Sequence, residues 1–148
     1  MLQPLYSNND VSRFIDKFQK ETKQRFYDIF VQAGEHGVRI ARTEGRYIDH
    51  TGNLRSSIGY AVADSGSIKV ENFQKAGVGT DQEKGLSEAK RLANEVAKQH
   101  HFGLVLIIVA GMDYAVYVEN MENKDVLTNA VFSTQTYLKE LMVKILKY

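Results

Sequence analysis

Hydrophobic residues recur at steps of three and four along the first third of the chain, which is the spacing of one helical face. The stripe runs from Val11 to Ala41 and predicts a helix from residue 11 to about residue 44. Asp10 is its predicted N-terminal cap, because its side chain can accept a hydrogen bond from a free N–H of the first turn. Residues 1–9 are predicted to form a flexible lead-in.

The predicted helix is longer than a compact domain of this size needs. At about 1.5 Å per residue it would extend for roughly 50 Å. Gly34 and Gly37 lie within it and mark a bend or a close contact. A helix that overhangs its own domain often meets a partner, so we expect part of this one to take part in an interaction.

Alternation of apolar and polar residues predicts two β-hairpins. The first joins a strand at 54–63 to a strand at 68–73. The second joins 104–110, which is apolar on both faces and is therefore predicted to be a central strand, to 114–119. Strands connected by tight turns are antiparallel.

Two further amphipathic helices are predicted, at 86–99 and at 126–147, and residues 74–84 are predicted to be a mobile loop. The order of helix, hairpin, helix, hairpin and helix predicts an α+β fold, with helices covering an antiparallel sheet of about four strands. We expect one domain over residues 1–148. The inward face of the last helix is predicted to consist of Ala130, Thr134, Tyr137, Leu138, Leu141, Met142, Ile145 and Leu146.

The composition excludes several classes of function but does not point to a particular one. The chain has 148 residues, a net charge of +1 and no cysteine. The weak charge argues against a dedicated nucleic-acid binder, and the lack of cysteine excludes disulfides, thiol nucleophiles and cysteine-based zinc sites. Residues 1–10 lack a secretory signal pattern, and the longest apolar run, 104–110, is too short to span a bilayer.

The adjacent pair His100 and His101 is the most visible candidate for a site. Neighbouring side chains on a helix point about 100° apart, so a metal would need further ligands such as His36, His50 or Asp113. The alternative is a helix C-terminus, where a protonated imidazole is favoured by the helix dipole.

Three other short patterns have simpler explanations than the chemistry they suggest. Residues 77–82 begin like a nucleotide-binding glycine loop but lack a surrounding parallel strand–helix–strand unit. Ser87 and Lys90 have the spacing of some acylases, and serine also caps helices. Glu119, with Glu122 and Asp125, matches no calcium loop. We predict no catalytic residue, metal or cofactor.

Two surface features are candidates for contacts with other molecules. Arg39, Arg42, Arg46 and Arg55 cluster around the predicted end of the first helix and could meet phosphate or acidic groups, or pair with Glu35 and Glu44. The strand tyrosines are either core residues or edge-strand contacts between subunits. They are Tyr60, Tyr114 and Tyr117.

Two blocks that lie more than fifty residues apart are the most specific signals. Residues 51–58 read T-G-N-L-R-S-S-I, and residues 114–119 read Y-A-V-Y-V-E. This pair resembles the head–tail joining, or tail-completion, proteins of tailed bacteriophages, in which a T-G-x-L-R-x-S-I block leads into a strand and a Y-A-x-Y-V-E block follows in a later one. A long helix precedes the first block in that family, as it does here.

The resemblance implies a structural protein of a phage or prophage, without enzymatic activity, located in the virion or, during assembly, in the host cytoplasm. Its implied partners are other connector or tail proteins and further copies of this chain in a homo-oligomeric ring, with no membrane and no specific nucleic acid. The motif residues that would carry structure or interaction are Thr51, Gly52, Leu54, Arg55, Ile58, Tyr114, Tyr117 and Glu119.

A physical role can be assigned to several of these positions. Gly52 would supply the tight turn that directs Leu54 and Ile58 into the core. Arg55 would form an ion pair with Glu119. The competing hypotheses are a small enzyme or a ligand- or metal-binding domain that uses His50, His100 or His101, and a nucleic-acid-associated protein that uses the arginine cluster.

Overall fold

The computed structural model describes residues 2–43, 53–75, 77, 79–111 and 127–147. These residues form four helices and three strands, which confirms the predicted α+β class. The elements are α1 (Asn8–Thr43), α2 (Asn53–Ser56), β1 (Ile58–Asp64), β2 (Ser67–Phe73), α3 (Gln82–Gln99), β3 (Leu104–Ala110) and α4 (Thr128–Leu146).

The three described strands form one antiparallel sheet in the order β2-β1-β3. In its register Gly59 pairs with Phe73, and Ile58 pairs with Ala110. Among the described strands β1 is central, because it bonds to both neighbours and six of its seven residues are buried. The predicted central place of β3 depends on its second predicted neighbour. The sheet therefore has three described strands against about four predicted; the predicted strand at 114–119 lies outside the described residues.

Helices cover both faces of the sheet. Because successive side chains of a strand point to opposite faces, β1 sends Tyr60 towards α1 and Ala61 towards α3. The buried face of α3 consists of small residues that let its backbone approach the sheet. They are Gly85, Ala89, Ala93 and Ala97, with half-buried Leu92 and Val96 beside them.

On the other face, α1 crosses the sheet at very short range. A Cβ built on Gly34 would lie 2.6 Å from Cγ of Tyr60, and one on Gly37 would lie 2.7 Å from Cδ1 of Ile108. Gly34 and Gly37 were predicted to mark a bend or a close contact, and the structure shows a close contact at both. The same face carries a core cluster that includes Ile40, Ala41, Leu54, Ile58 and Ala130.

The start of α1 is capped one turn earlier than predicted. Ser7 accepts a hydrogen bond from the backbone N–H of Asp10 (3.1 Å), and the Asp10 carboxylate accepts one from the backbone N–H of Ser7 (3.0 Å). This reciprocal pair is a capping box with Ser7 as the cap. The helix consequently begins at Asn8, inside the predicted lead-in. The hydrogen bonds from Ser7 also lower the pKa of the Asp10 carboxyl.

The N-terminal half of α1 extends beyond the sheet and the other helices. We call Asn8–Arg25 the overhang, because every residue in it is exposed apart from half-buried Thr22, whereas the first buried position of α1 is Ile29. The predicted apolar stripe is thus correct as a helical face, but only its second half is covered by the described residues.

Three predicted boundaries or positions need correction. Residues 53–56 form a helical turn instead of the first part of a strand, because the backbone N–H and hydroxyl of Ser57 both bond to the carbonyl of Leu54 and close the chain locally. Residues 82–84, predicted as loop, belong to α3. Leu146, predicted to face inward, is 71% exposed at the end of α4.

Candidate functional site

The first motif block meets the end of β3 at one place in the fold. The backbone N–H of Gly111 donates a hydrogen bond to the carbonyl of Ser57 (3.0 Å), directly beside the register pair of Ile58 and Ala110. We call this place the motif junction and define it by Leu54, Ser56, Ser57, Ile58, Ala110 and Gly111. It brings residues more than fifty positions apart into direct contact.

The junction is buried and tightly packed. Leu54 and Ile58 lie in the core, where the sequence analysis placed them, because one helical turn between them brings both side chains to the same side. Ser56 and Ser57 are also fully buried. A Cβ on Gly111 would lie 2.6 Å from Cα of Ala89, so α3 closes the junction from the opposite side.

Arg42 joins the end of α1 to the junction. Its guanidinium donates a hydrogen bond to the carbonyl of Ile58 (2.8 Å) and another to the carbonyl of Gln74. This role was missed by sequence reasoning, which placed Arg42 in a surface cluster. A carbonyl-bonding arginine leaves no periodic signal.

The other described members of the arginine cluster are Arg39 and Arg55. Arg39 is exposed and lies 3.4 Å from Nδ1 of His36, and Arg55 is half-buried on α2. Arg46 lies outside the described residues. Glu35, a predicted partner of the cluster, instead accepts hydrogen bonds from Tyr60 (2.9 Å) and from Asn72.

Tyr60 is a core residue and not an edge-strand contact. It is 2% exposed on the central strand, and burial, together with the Glu35 carboxylate, raises the pKa of its hydroxyl above the ordinary value. The other two strand tyrosines, Tyr114 and Tyr117, lie outside the described residues.

Several motif positions fall in the same undescribed parts of the chain. They are Thr51, Gly52, Tyr114, Tyr117 and Glu119. Because Glu119 lies outside the described residues, the ion pair between Arg55 and Glu119 stays a prediction.

The histidines occupy separate places. His100 and His101 are exposed at the end of α3, where the backbone N–H of His100 bonds to the carbonyl of Ala97 (3.1 Å). His36 lies across the sheet on α1, stacked on Tyr137 with 4.5 Å between ring centroids. Within the described ranges, histidine and carboxylate side chains form no group of three that could hold a metal. His50 lies outside those ranges, so its use with the other histidines stays a prediction.

The two short patterns near the start of α3 are explained by local hydrogen bonds. The Gln82 side chain accepts from the backbone N–H of Gly77 (2.8 Å) and donates to the carbonyl of Gly79 (3.3 Å), which closes the glycine loop on itself. The hydroxyl of Ser87 donates to the carbonyl of Lys84 (3.0 Å) instead of facing Lys90.

An apolar cleft of about 470 Å³ runs along β3 between α3 and α4. Its walls include Leu92, Val96, Leu127 and Leu138, and His100 is the titratable residue of its described lining. Acid–base chemistry needs titratable groups that converge on one point, and this lining offers a single imidazole. The cleft is suited to apolar packing.

A polar cluster ties α1 to the hairpin of β1 and β2. The Asp64 carboxylate pairs with Lys23 (2.7 Å) and accepts hydrogen bonds from Tyr27 (2.9 Å) and Ser65 (3.0 Å). The bond from Lys23, followed by those from Tyr27 and Ser65, lowers the pKa of Asp64 to about 2. Lys23, Tyr27 and Ser65 all donate to the Asp64 carboxylate, so the cluster anchors α1 to the sheet.

The described helices include none with the length and apolarity required to cross a bilayer. Comparison with protein-family models, curated proteins and solved structures gives no match to this chain.

Proposed function

We propose that this chain is a structural protein of a tailed bacteriophage or prophage that acts at the head–tail connector or the upper tail through subunit docking, without catalysis. The observation that carries the proposal is the overhang. A stripe of large apolar side chains projects from the domain on a preformed helix, and exposed apolar patches of this kind mark interaction surfaces. Its site of action is the virion and, during assembly, the host cytoplasm.

The exposures within the overhang support docking. Phe14 is 70% exposed and Phe18 is 61% exposed, while Val11 and Ile15 on the same face are each 47% exposed. Isolated apolar residues on a surface are ordinary, but four on one helical face form a continuous stripe. Such a surface is suited to packing against another protein.

The motif junction supports the resemblance to the head–tail joining family. The first block supplies buried Leu54 and Ile58, and the chain leading into the second block bonds to Ser57 through Gly111. The first block and the residues that precede the second block therefore have a common structural role, which is to hold the end of β3 against the start of β1. Other connector or tail proteins, and a homo-oligomeric ring, are the partners that this proposal implies.

The proposal also includes a fourth strand in the antiparallel sheet. In the described sheet β3 bonds to β1 on one side, and the apolar cleft lies along its other side. We propose residues 114–119 as the strand that pairs there. Amide hydrogen exchange tests this, because paired N–H groups are protected and unpaired ones exchange rapidly.

Deletion of the gene from an inducible prophage tests the function. We expect filled heads and separate tails under the electron microscope, and restoration of whole particles by the wild-type gene. A Phe14→Glu copy should fail to restore joining, while a Phe132→Glu copy, which changes a phenylalanine of similar exposure on α4, should succeed. Normal particles after deletion, or a gene set among metabolic genes without portal, capsid or tail-tube neighbours, would contradict the proposal.

A further inference from the structure

The overhang has the features of a surface that pairs with its own copy. We propose that the overhangs of two chains pack antiparallel about a two-fold axis between Asp16 and Lys17. This inference rests on the same overhang as the proposed function and names a second copy of the chain as the partner that covers it.

The apolar stripe has the regular spacing of a helix–helix seam. Val11, Ile15, Phe18 and Thr22 follow at steps of four, three and four, with Phe14 beside them. An axis between positions 16 and 17 places residues whose numbers add up to 33 opposite each other. Ile15 then faces Phe18 of the second copy, so the two centremost pairs of the seam are apolar, and Val11 faces Thr22 at each end.

Charge favours the antiparallel arrangement over the parallel one. Residues 8–16 contain Asp10, Asp16 and Arg13, for a net charge of −1, whereas residues 17–25 contain four cations and Glu21, for a net charge of +3. The antiparallel arrangement places the acidic half of each overhang beside the basic half of the other. Lys23 is paired with Asp64 of its own chain, and a parallel arrangement would still place two segments with a remaining net charge of +2 side by side, which is repulsive.

The same axis places an exposed apolar segment of one copy near an apolar groove of the other. Leu5 and Tyr6, which precede α1, are 93% and 70% exposed. The axis places them opposite positions 27 and 28, beside an apolar groove of about 530 Å³ that includes Phe26, Phe30 and Met142. Since the axis is two-fold, each copy supplies both the projecting residues and the groove, as an isologous contact requires.

The available area is sufficient for a stable contact. A phenylalanine side chain buries on the order of 200 Å², so at the observed exposures Phe14 and Phe18 alone offer about 250 Å². A stable interface needs about 800 Å² from each partner. The rest of the seam, with Leu5, Tyr6 and the groove, can supply the remainder.

The first experiment is the molar mass of the full chain by light scattering and sedimentation at concentrations up to about 100 µM. We expect a dimer. Phe14→Glu should weaken the dimer Kd by about tenfold or more, because it places a charge in the seam. The matched control Phe132→Glu should leave the Kd unchanged. A monomer at the highest concentration, whether or not it binds lipid vesicles or another protein, overturns the proposal, as does an equal effect of both variants.

The second experiment determines the orientation and uses the absence of cysteine from the chain. An equimolar mixture of Val11→Cys and Thr22→Cys chains should form a mixed disulfide on mild oxidation, and Val11→Cys alone should not crosslink. Self-crosslinking of Val11→Cys would show a parallel pair, and no crosslink in either sample would show that the seam does not form. Failure of either test leaves the gene-deletion experiment, and hence the proposed function, standing on its own result.

Discussion

The contact between Gly34 and Tyr60 yields the sharpest prediction about stability. A methyl group at position 34 would lie 2.6 Å from Cγ of Tyr60, whereas carbon atoms in ordinary contact are about 3.5–4.0 Å apart. The ring cannot move aside freely, because it is buried and its hydroxyl is bonded to Glu35. Gly34→Ala therefore forces a displacement of about 1 Å at the interface of α1 and β1.

Two opposing effects determine how much Gly34→Ala changes the free energy of unfolding. Alanine is a better helix former than glycine by about 1 kcal/mol at a position inside a helix. Overpacking of a filled core costs about 1–3 kcal/mol, and a ring held at both ends places this change at about 3 kcal/mol. The net loss in the free energy of unfolding is then about 2 kcal/mol, or a fall of about 4–8 °C in Tm for a chain of this length.

Urea denaturation of a double-mutant cycle measures the coupling directly. In the Tyr60→Ala background the ring is absent, so Gly34→Ala should raise the free energy of unfolding by up to about 1 kcal/mol. The effect of one substitution thus changes sign with the other. Gln32→Ala, at an exposed position of the same helix, serves as the control and should stay within about 0.5 kcal/mol of the wild type.

A destabilisation by Gly34→Ala that is the same in both backgrounds would refute the reasoning, because it would show that the added methyl group meets something other than Tyr60. Stabilisation in the wild-type background would also refute it, since helix propensity would then exceed the steric effect. Only a change of sign is consistent with the described contact.

Three further predictions follow from the junction and the polar cluster. Ile58→Ala should lower the free energy of unfolding by about 2–5 kcal/mol in urea titrations, because Ile58 is fully buried; a loss below about 1 kcal/mol would contradict its place in the core. Gly111→Ala should lower Tm, because the new methyl group meets the backbone of Ala89, which cannot rotate away as a side chain does; an unchanged Tm would contradict the close approach. Asp64→Asn should remove a pH-dependent part of the stability. The pKa of Asp64 in the folded chain, about 2, lies below its ordinary value of 3.8, so its contribution is present above that value and is lost as the pH falls towards 2. The Tm difference between wild type and variant should therefore close on acidification, and a constant difference would show that Lys23 does not hold the carboxylate.

Periodicity was sufficient to locate every long element that the structure describes. Predicted and observed bounds of α1, α3 and α4 differ by a few residues, because a helical stripe is a property of the sequence itself. Boundaries were less accurate where local hydrogen bonds decide them. The capping box between Ser7 and Asp10 and the helical turn closed by Ser57 each depend on a pair of local hydrogen bonds.

The sequence could not identify the partners of residues whose role depends on distant segments. Gly34, Gly37 and Gly111 are small because another segment passes close by, and that segment lies from about 20 to almost 100 positions away. Arg42 bonds to the carbonyls of Ile58 and Gln74, which belong to the two ends of the first hairpin. Neither a close approach nor a carbonyl bond has a periodic pattern.

The overhang shows what an amphipathic pattern measures. An apolar stripe reports that a face is covered, but it does not say which chain covers it. The helix α1 has 36 residues, while α4, the helix that packs beside it, has 19. The apolar stripe of α1 nevertheless continues with the same spacing to Val11, well beyond the last residue that α4 can cover. A face that is apolar along its whole length but covered by its own domain along only half of it implies a second covering surface, and the charges and spacing of the overhang match those of another overhang.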